Sequence, residues 1–275
     1  MTVSPSSYPY NEDGSYATFF PALNANSNPI ISNTLNYDQN SVHRILTSLG
    51  VTWNIWDNLN LKEVLSYDFN QSDNRVWWDP RSGDGLTAKG VYQIYMMNRK
   101  KLNTQTQLTY NKSIDDLHNF DFLAGYETEQ YNLDYTYSNG SNYPSYRKPE
   151  VTNAGTTRAS SSYSEYRMLS YLSRLDYNYA SRYYLSGSVR RDGTSRLSEE
   201  SRWGNFWSVS GSWRLSQEQF MESLSHVISD AKIRASYGVN GTQPSEYYDY
   251  MGLFSFGFNY TGEPGSAETA ILNAN

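Results

Sequence analysis

The run Asp192-Gly193-Thr194-Ser195-Arg196 has the glycine and hydroxyl residues of a phosphate-binding loop. Such a loop needs a Gly-Lys-Ser/Thr ending and a helix after it, and neither follows. Asp-Gly is also turn chemistry, so the expectation is an external loop tip. His43, His118 and His226 stand alone, without carboxylates at ligand or triad spacing. Asp115-Asp116 and Glu199-Glu200 are adjacent pairs, whereas glycosidase carboxylates face one another across a bond. They read as turn and loop solvation. Asp68, Asp73, Asp79 and Asp84 carry oxygens suited to calcium but show no EF-hand register. No catalytic residue, cofactor site or metal site is therefore expected. The strongest binding chemistry is aromatic: Trp77, Trp78, Tyr92, Tyr143, Tyr146 and Trp203 fall in expected external segments. Flat rings among polar neighbours combine apolar contact with hydrogen bonds, as glycan binding requires. Packing between loops, or an aromatic belt at a membrane interface, would use the same residues.

The elements that must carry these rings follow from composition. The 275 residues contain no cysteine, which excludes disulfides, thiolate metal sites and a cysteine nucleophile. Lys+Arg total 22 against 28 Asp+Glu, a net charge of -6, which disfavours a nucleic-acid partner. No apolar run approaches a membrane helix, and mean hydropathy is -0.71. Yet 26 Tyr, 10 Phe and 7 Trp are far more rings than a disordered chain carries. A transmembrane β-barrel reconciles the two, because lipid-facing apolar and lumen-facing polar residues alternate and average out.

Period-2 patterning supports that reading. Trp207, Val209, Gly211, Trp213 and Leu215 oppose Phe206, Ser208, Ser210, Ser212 and Arg214. Tyr183, Leu185, Gly187 and Val189 oppose Tyr184, Ser186, Ser188 and Arg190. Segments 169–179 and 232–239 alternate likewise, while 59–69, 102–112 and 119–131 do so less cleanly, with Val64 and Leu123 on the polar face. Arg174, Asp176, Arg190, Arg214, Lys232 and Arg234 suit a wet lumen better than a dry core, where an unpaired charge is costly. Short connections at 56–58, 114–118 and 180–182 alternate with long polar ones at 70–92, 138–162, 192–205 and from 240 onwards. Tight periplasmic turns and long external loops are laid out this way. Segment 216–230 is a longer periplasmic connection with one short helix expected at 217–222. About eight or nine strands result, and residues 1–40 read as loop or irregular structure.

A serial set of motifs narrows the class. Leu172-Ser173-Arg174-Leu175-Asp176-Tyr177-Asn178-Tyr179 leads to Arg182-Tyr183-Tyr184-Leu185-Ser186-Gly187-Ser188-Val189. Then come Arg190-Arg191-Asp192-Gly193-Thr194-Ser195-Arg196, Arg202-Trp203-Gly204-Asn205-Phe206 and Ser208-Val209-Ser210-Gly211-Ser212-Trp213-Arg214-Leu215-Ser216. Glu218, Phe220 and Lys232-Ile233-Arg234-Ala235-Ser236-Tyr237-Gly238-Val239-Asn240-Gly241 complete the run. In this order the chain resembles the barrel of SusC/RagA-type TonB-dependent outer-membrane transporters. Asn28-Pro29-Ile30 through Leu123-Ala124-Gly125-Tyr126-Glu127 resembles the preceding strands more loosely, and the likeness covers about nine-tenths of the chain. Leu197 replaces a usual Phe and Trp207 a usual Pro, both expected at loop–strand junctions.

The resemblance implies a barrel of about 22 strands, of which residues 1–275 would form a partial arc lacking the plug domain and closing strands. No signal peptide is visible at the start, and the whole reads as a fragment. The implied function is non-enzymatic nutrient import across the outer membrane of a Gram-negative cell. Its implied partners are outer-membrane lipid, a glycan or oligopeptide substrate, a SusD-like surface lipoprotein, and TonB acting through the absent N-terminal part. Two other readings fit the composition: a soluble aromatic-rich carbohydrate-binding β-sandwich, and a small closed outer-membrane barrel acting as adhesin or enzyme.

Overall fold

The computed structural model describes residues 8–17, 28–224 and 226–270. Eight strands form one sheet in the order of the sequence, from β1 to β8. They are β1 (Tyr37–Trp56), β2 (Leu59–Trp78), β3 (Val91–Ile114), β4 (His118–Ser141), β5 (Thr156–Tyr179), β6 (Tyr183–Thr194), β7 (Trp203–Arg214) and β8 (Lys232–Val239). Among the described residues β1 and β8 are the sheet's edges. Strands β9 (Leu253–Tyr260) and β10 (Glu263–Ala270) pair separately as an antiparallel hairpin.

Strands β2 to β5 exceed their sequence-predicted lengths, at 20 residues for β2 and 24 for β3, β4 and β5, and β1 is also 20 residues long. A membrane crossing takes only about 9–11 residues. Part of the extra length is polar on both faces, as in 156–164, where no alternation shows; in β4, by contrast, Tyr131, Leu133, Tyr135 and Tyr137 do alternate with Asn132, Asp134, Thr136 and Ser138. Within 1–40, a helix α1 (Pro29–Leu35) and the start of β1 stand where irregular structure was expected; residues 1–7 and 18–27 lie outside the described residues. Strand β6 continues through Thr194, so Asp192-Gly193-Thr194 is paired strand rather than a loop tip. Trp207 is likewise inside β7, paired with Val189 and Val239, not at a junction. The expected helix at 217–222 is replaced by two 3-10 turns, Leu215–Gln217 and Gln219–Leu224.

The chain divides into two compact units. The first comprises Met1–Ile45, Asp68–Lys100 and Asn132–Ser164, the second Leu46–Tyr67, Lys101–Tyr131 and Glu165–Asn275.

In the second unit register sorts the faces. Tyr183 pairs with Trp213, Leu185 with Gly211 and Val189 with Trp207, while Trp207, Val209 and Trp213 pair onward with Val239, Tyr237 and Ile233. These apolar residues are largely exposed: Leu185 55%, Val189 59%, Ile233 58% and Tyr237 68%. An exposed apolar face of this extent marks an interaction surface. Trp203 and Trp213 lie on it ten positions apart in β7. At ~3.4 Å per residue and a tilt near 40° they are ~26 Å apart along a barrel axis, close to the height of a lipid-facing band. Aromatic rings gather toward the turn end: Tyr179 stacks on Tyr183 at 6.3 Å, Tyr183 on Trp213 at 6.2 Å, and Phe220 meets Trp213 edge-on. Glu218 accepts from Trp213 Nε1 at 2.9 Å and Tyr183 Oη at 2.7 Å, bonds that hold its carboxyl below the usual range.

The opposite face carries the charges in pairs. Arg190 bonds Asp192 at 2.7 Å, Glu127 at 3.0 Å and the buried Ser170 hydroxyl at 3.0 Å. Arg174 bonds Asp176 at 2.7 Å and Arg214 bonds Asp230 at 2.8 Å. The apolar exceptions have physical reasons. Leu172 covers Gly125, where a Cβ would lie 2.8 Å from its side chain, and Phe206 covers Gly204 at 2.7 Å in the same sense.

The expected turns are present. In Ile114–Leu117 and Tyr179–Arg182 the end residues are hydrogen bonded and both central residues have positive φ, from 50 to 55°. These are type I′ turns, whose twist matches antiparallel strands.

Candidate functional site

The candidate site is an open cleft of about 790 Å³ in the first unit. It is lined by Ser32, Asn33 and Asn36 at α1, Tyr37 and Asp38 of β1, Asn74, Val76 and Trp78 of β2, and Gln93 and Tyr95 of β3. Amides, a carboxylate and three rings meet there.

Helix α1 begins with Asn28, whose side chain accepts from Ile30 N at 3.0 Å, followed by Pro29 in the first turn. The Asn28 amide also donates to Pro9 O and Ala17 O, at 2.8 and 2.9 Å, which satisfies a fully buried side chain. Past the helix, Asn36 Nδ2 donates to Asp84 at 2.9 Å and Asn36 Oδ1 accepts from Asp79 N at 2.8 Å. Ser32 Oγ donates to the same Asp84 oxygen at 3.0 Å. These bonds tie the helix side of the cleft to the short helix α2 (Gly83–Leu86), capped by Ser82. On the strand side Asn74 donates to Asp38 Oδ1 at 2.7 Å, leaving Asp38 Oδ2 and Asn74 Oδ1 outside that bond. Gln93 donates to Tyr137 at 3.0 Å and accepts from Tyr95 at 3.1 Å, which fixes the Tyr95 ring against Tyr137 at 4.9 Å. Amides, a carboxylate and exposed rings in one open cleft make the arrangement a binding surface.

The expected aromatic residues are separated by the fold. Trp78 lines the cleft and keeps 37% of its surface exposed. Trp77 and Tyr143 do not offer open rings. Trp77, at 3% exposure, meets Tyr143 edge-on at 5.1 Å and Tyr92 at 6.5 Å, and the three form a buried cluster with Tyr37, Ile94, Val151 and Ala154 around it. Burial pushes the Tyr143 hydroxyl up to about 12. Packing between segments, the other use of such rings, is what Trp77, Tyr92 and Tyr143 do here. Tyr146 lies under the Arg81 guanidinium at 3.8 Å. Arg81 also clamps Asp79 through two bonds of 2.8 Å. Burial alone would raise the Asp79 carboxyl, but the bonds from Arg81 outweigh it and leave it below the usual range. Trp203 belongs to the second unit and lies on its apolar face, stacked with Tyr171 at 6.3 Å. Tyr37, Asp38 and Asn74 were not anticipated because 1–40 and 70–92 read as irregular, and Gln93 and Tyr95 because they precede the expected strand at 102–112. Alternating Asn70, Ser72 and Asn74 was the only available sign.

The four aspartates once considered for calcium are engaged separately: Asp68 with Arg44, Asp73 with Arg75, Asp79 with Arg81, Asp84 with Ser32 and Asn36. Among the described residues no cluster of three metal-ligating side chains occurs.

No family model matches the chain. TonB-dependent receptor P26 of Formosa agariphila is 27% identical over 251 residues, 89% of this chain and 25% of that protein. TonB-dependent receptor SusC of Bacteroides thetaiotaomicron is 28% identical over 164 residues, 59% of this chain and 16% of that one. The structure of the RagAB peptide transporter matches with a TM-score of 0.85 and 20% identity, covering 97% of this chain and 30% of the transporter's. The fold is thus a partial barrel wall of the TonB-dependent receptor kind. By sequence and fold together the chain resembles the SusC/RagA-type TonB-dependent receptors. It spans about a quarter of the length of P26.

Proposed function

We propose that the chain is a wall segment of an outer-membrane TonB-dependent nutrient importer, and that the cleft beside Trp78 holds the imported solute. The carrying observation is the meeting of Asp38, Asn74, Gln93, Tyr95 and Trp78 in one open cleft, built from strand ends longer than a bilayer needs. Amide and carboxylate oxygens beside flat rings suit a glycan fragment or an oligopeptide. A SusD-like lipoprotein would close the external side, and TonB would supply work through a plug domain outside these residues. The second unit's exposed apolar face meets lipid in this reading, and its paired charges face the lumen. No reaction is catalysed: the wall is rigid and binding does the selecting.

The test is ligand binding and uptake by the full-length receptor carrying Trp78→Ala or Asp38→Ala, assayed against panels of oligosaccharides and oligopeptides. Loss of a stacking ring or a desolvated polar contact should weaken binding about 10- to 100-fold, at 1–3 kcal/mol each. Unchanged affinity for every transported solute in both variants would remove the cleft from the solute path.

A further inference from the structure

The second unit carries a groove of about 450 Å³ that solute import does not use. Its floor comes from register. Gly193 of β6 pairs with Leu169 of β5 on one side and Trp203 of β7 on the other. The Trp203 ring lies over Gly193: a Cβ there would stand 2.9 Å from it, so the indole can lie flat on the sheet's apolar face only because the position is glycine. Leu102 of β3 extends the apolar floor. Leu169, Gly193 and Trp203 share alternation parity with Tyr171, Val189 and Trp207. The groove therefore opens on the same face as the exposed apolar band, beside the ring that marks its loop-side limit.

The rim is cationic. Arg167 and Arg202 line the groove, and the Arg191 guanidinium lies 4.9 Å from the Trp203 ring. None of the three has a carboxylate partner among the described residues, and Arg202 Nε finds no acceptor there. The bordering carboxylate, Glu129, is already held by Lys101 at 2.8 Å and by the Tyr166 hydroxyl. Glu199 and Glu200, in the loop that leads to Arg202, do not line the groove.

We propose that this groove binds one anionic, phosphate-bearing membrane lipid, with an acyl chain over Leu102, Leu169 and the Trp203 ring and the phosphate between Arg167 and Arg202. Guanidinium groups suit phosphate because their donors are forked and weakly hydrated. An aromatic ring at the headgroup level with an apolar floor beneath it suits the chain that hangs from that phosphate. A neutral lipid would fill the floor and leave the cations unanswered. The proposal rests on the reading that this face meets lipid.

The test uses the full-length receptor in nanodiscs of phosphatidylcholine with a minor fraction of phosphatidylglycerol. Native mass spectrometry after transfer to detergent reports which lipid stays bound. The wild type should retain one phosphatidylglycerol in preference to phosphatidylcholine. Arg167→Gln/Arg202→Gln should retain it about 30-fold more weakly, from two surface cations at their usual strength near a membrane. Gly193→Leu, which displaces the Trp203 ring from the groove floor and leaves the charge alone, should also lose it; heat-modified gel migration certifies that each variant is folded. Equal retention of phosphatidylglycerol by wild type and the double variant, or no preference over phosphatidylcholine, overturns the site. A bimane on Val209→Cys separates the two readings. Quenching by brominated lipid with no lipid preference sinks the groove alone, whereas no quenching sinks the lipid-facing reading and the groove with it.

Discussion

Replacing Trp77 by Ala should release the segments that border the cleft while the rest of the sheet stays intact. The ring is 3% exposed, meets Tyr143 at 5.1 Å and Tyr92 at 6.5 Å, and lies against Gly90, where a Cβ would stand 3.0 Å from it. Truncating a buried Trp to Ala costs about 3–5 kcal/mol, because the pocket it fills collapses only in part. The loss falls on a local unit. Segment 79–90 and the stretch after β4 are joined by two backbone bonds, Asn142 N to Ala88 O and Tyr143 N to Lys89 O, each 2.9 Å. Those two amides exchange with solvent only when the segments part. A local destabilisation of that size raises the open fraction about 10²- to 10⁴-fold, at 1.36 kcal/mol per decade. The assay is hydrogen exchange with mass spectrometry on the full-length receptor, following peptides over 79–92 and 140–155. Peptides in β6 and β7 belong to the other unit and should keep their protection. Unchanged exchange at Asn142 and Tyr143 in a folded variant would refute the argument that Trp77 anchors these segments.

Three other expectations follow from the same structure. Val209→Arg puts a charge near the middle of the apolar face and should cost about 2–4 kcal/mol in urea unfolding from vesicles, whereas Ser210→Arg on the opposite face should cost little; equal costs would contradict the assignment of faces. Ala180→Gly removes a Cβ from a residue with φ +50° and should slow unfolding, by about 0.5–1 kcal/mol once glycine's extra chain entropy is counted; faster unfolding would contradict the turn geometry. Asp79 is held below its ordinary 3.8, so its bonds contribute stability fully above that value and lose it as pH falls through the lower folded pKa. Protection of the Arg81 amide, which donates to Asp79 Oδ1 at 2.9 Å, should therefore hold at neutral pH and fail only below the ordinary carboxylate range; early loss near pH 6 would sink that account.

Strands β6, β7 and β8 were legible because one face of each is apolar and the other carries Ser, Arg and Lys, and a two-residue period can place such a pattern in only one way. The turns at 115–116 and 180–181 were legible from their spacing and their Asp and Ser residues. The outer reaches of β2 and β5 were not, since both of their faces are largely polar and no period survives, and that of β4 was missed although Tyr131, Leu133, Tyr135 and Tyr137 alternate with polar residues. Residues there become strand because a neighbouring strand pairs with them, a condition local sequence does not contain.

The site shows the same division. Aromatic residues with polar neighbours were visible in the chain, but their uses depended on partners far away in sequence. Trp77 is buried because Tyr92 and Tyr143 reach it, and Trp78, one residue on, points to the other side of the strand and lines the cleft. Asp38 acquires meaning from Asn74, and Tyr95 from Gln93 and Tyr137. Composition and alternation by themselves determined a polar, ring-rich antiparallel sheet with one apolar face, because those depend on the residue and its immediate neighbours. Only the tertiary structure decided which rings pack, which line a cleft and which face outward, because those depend on strand register and on contacts between distant segments.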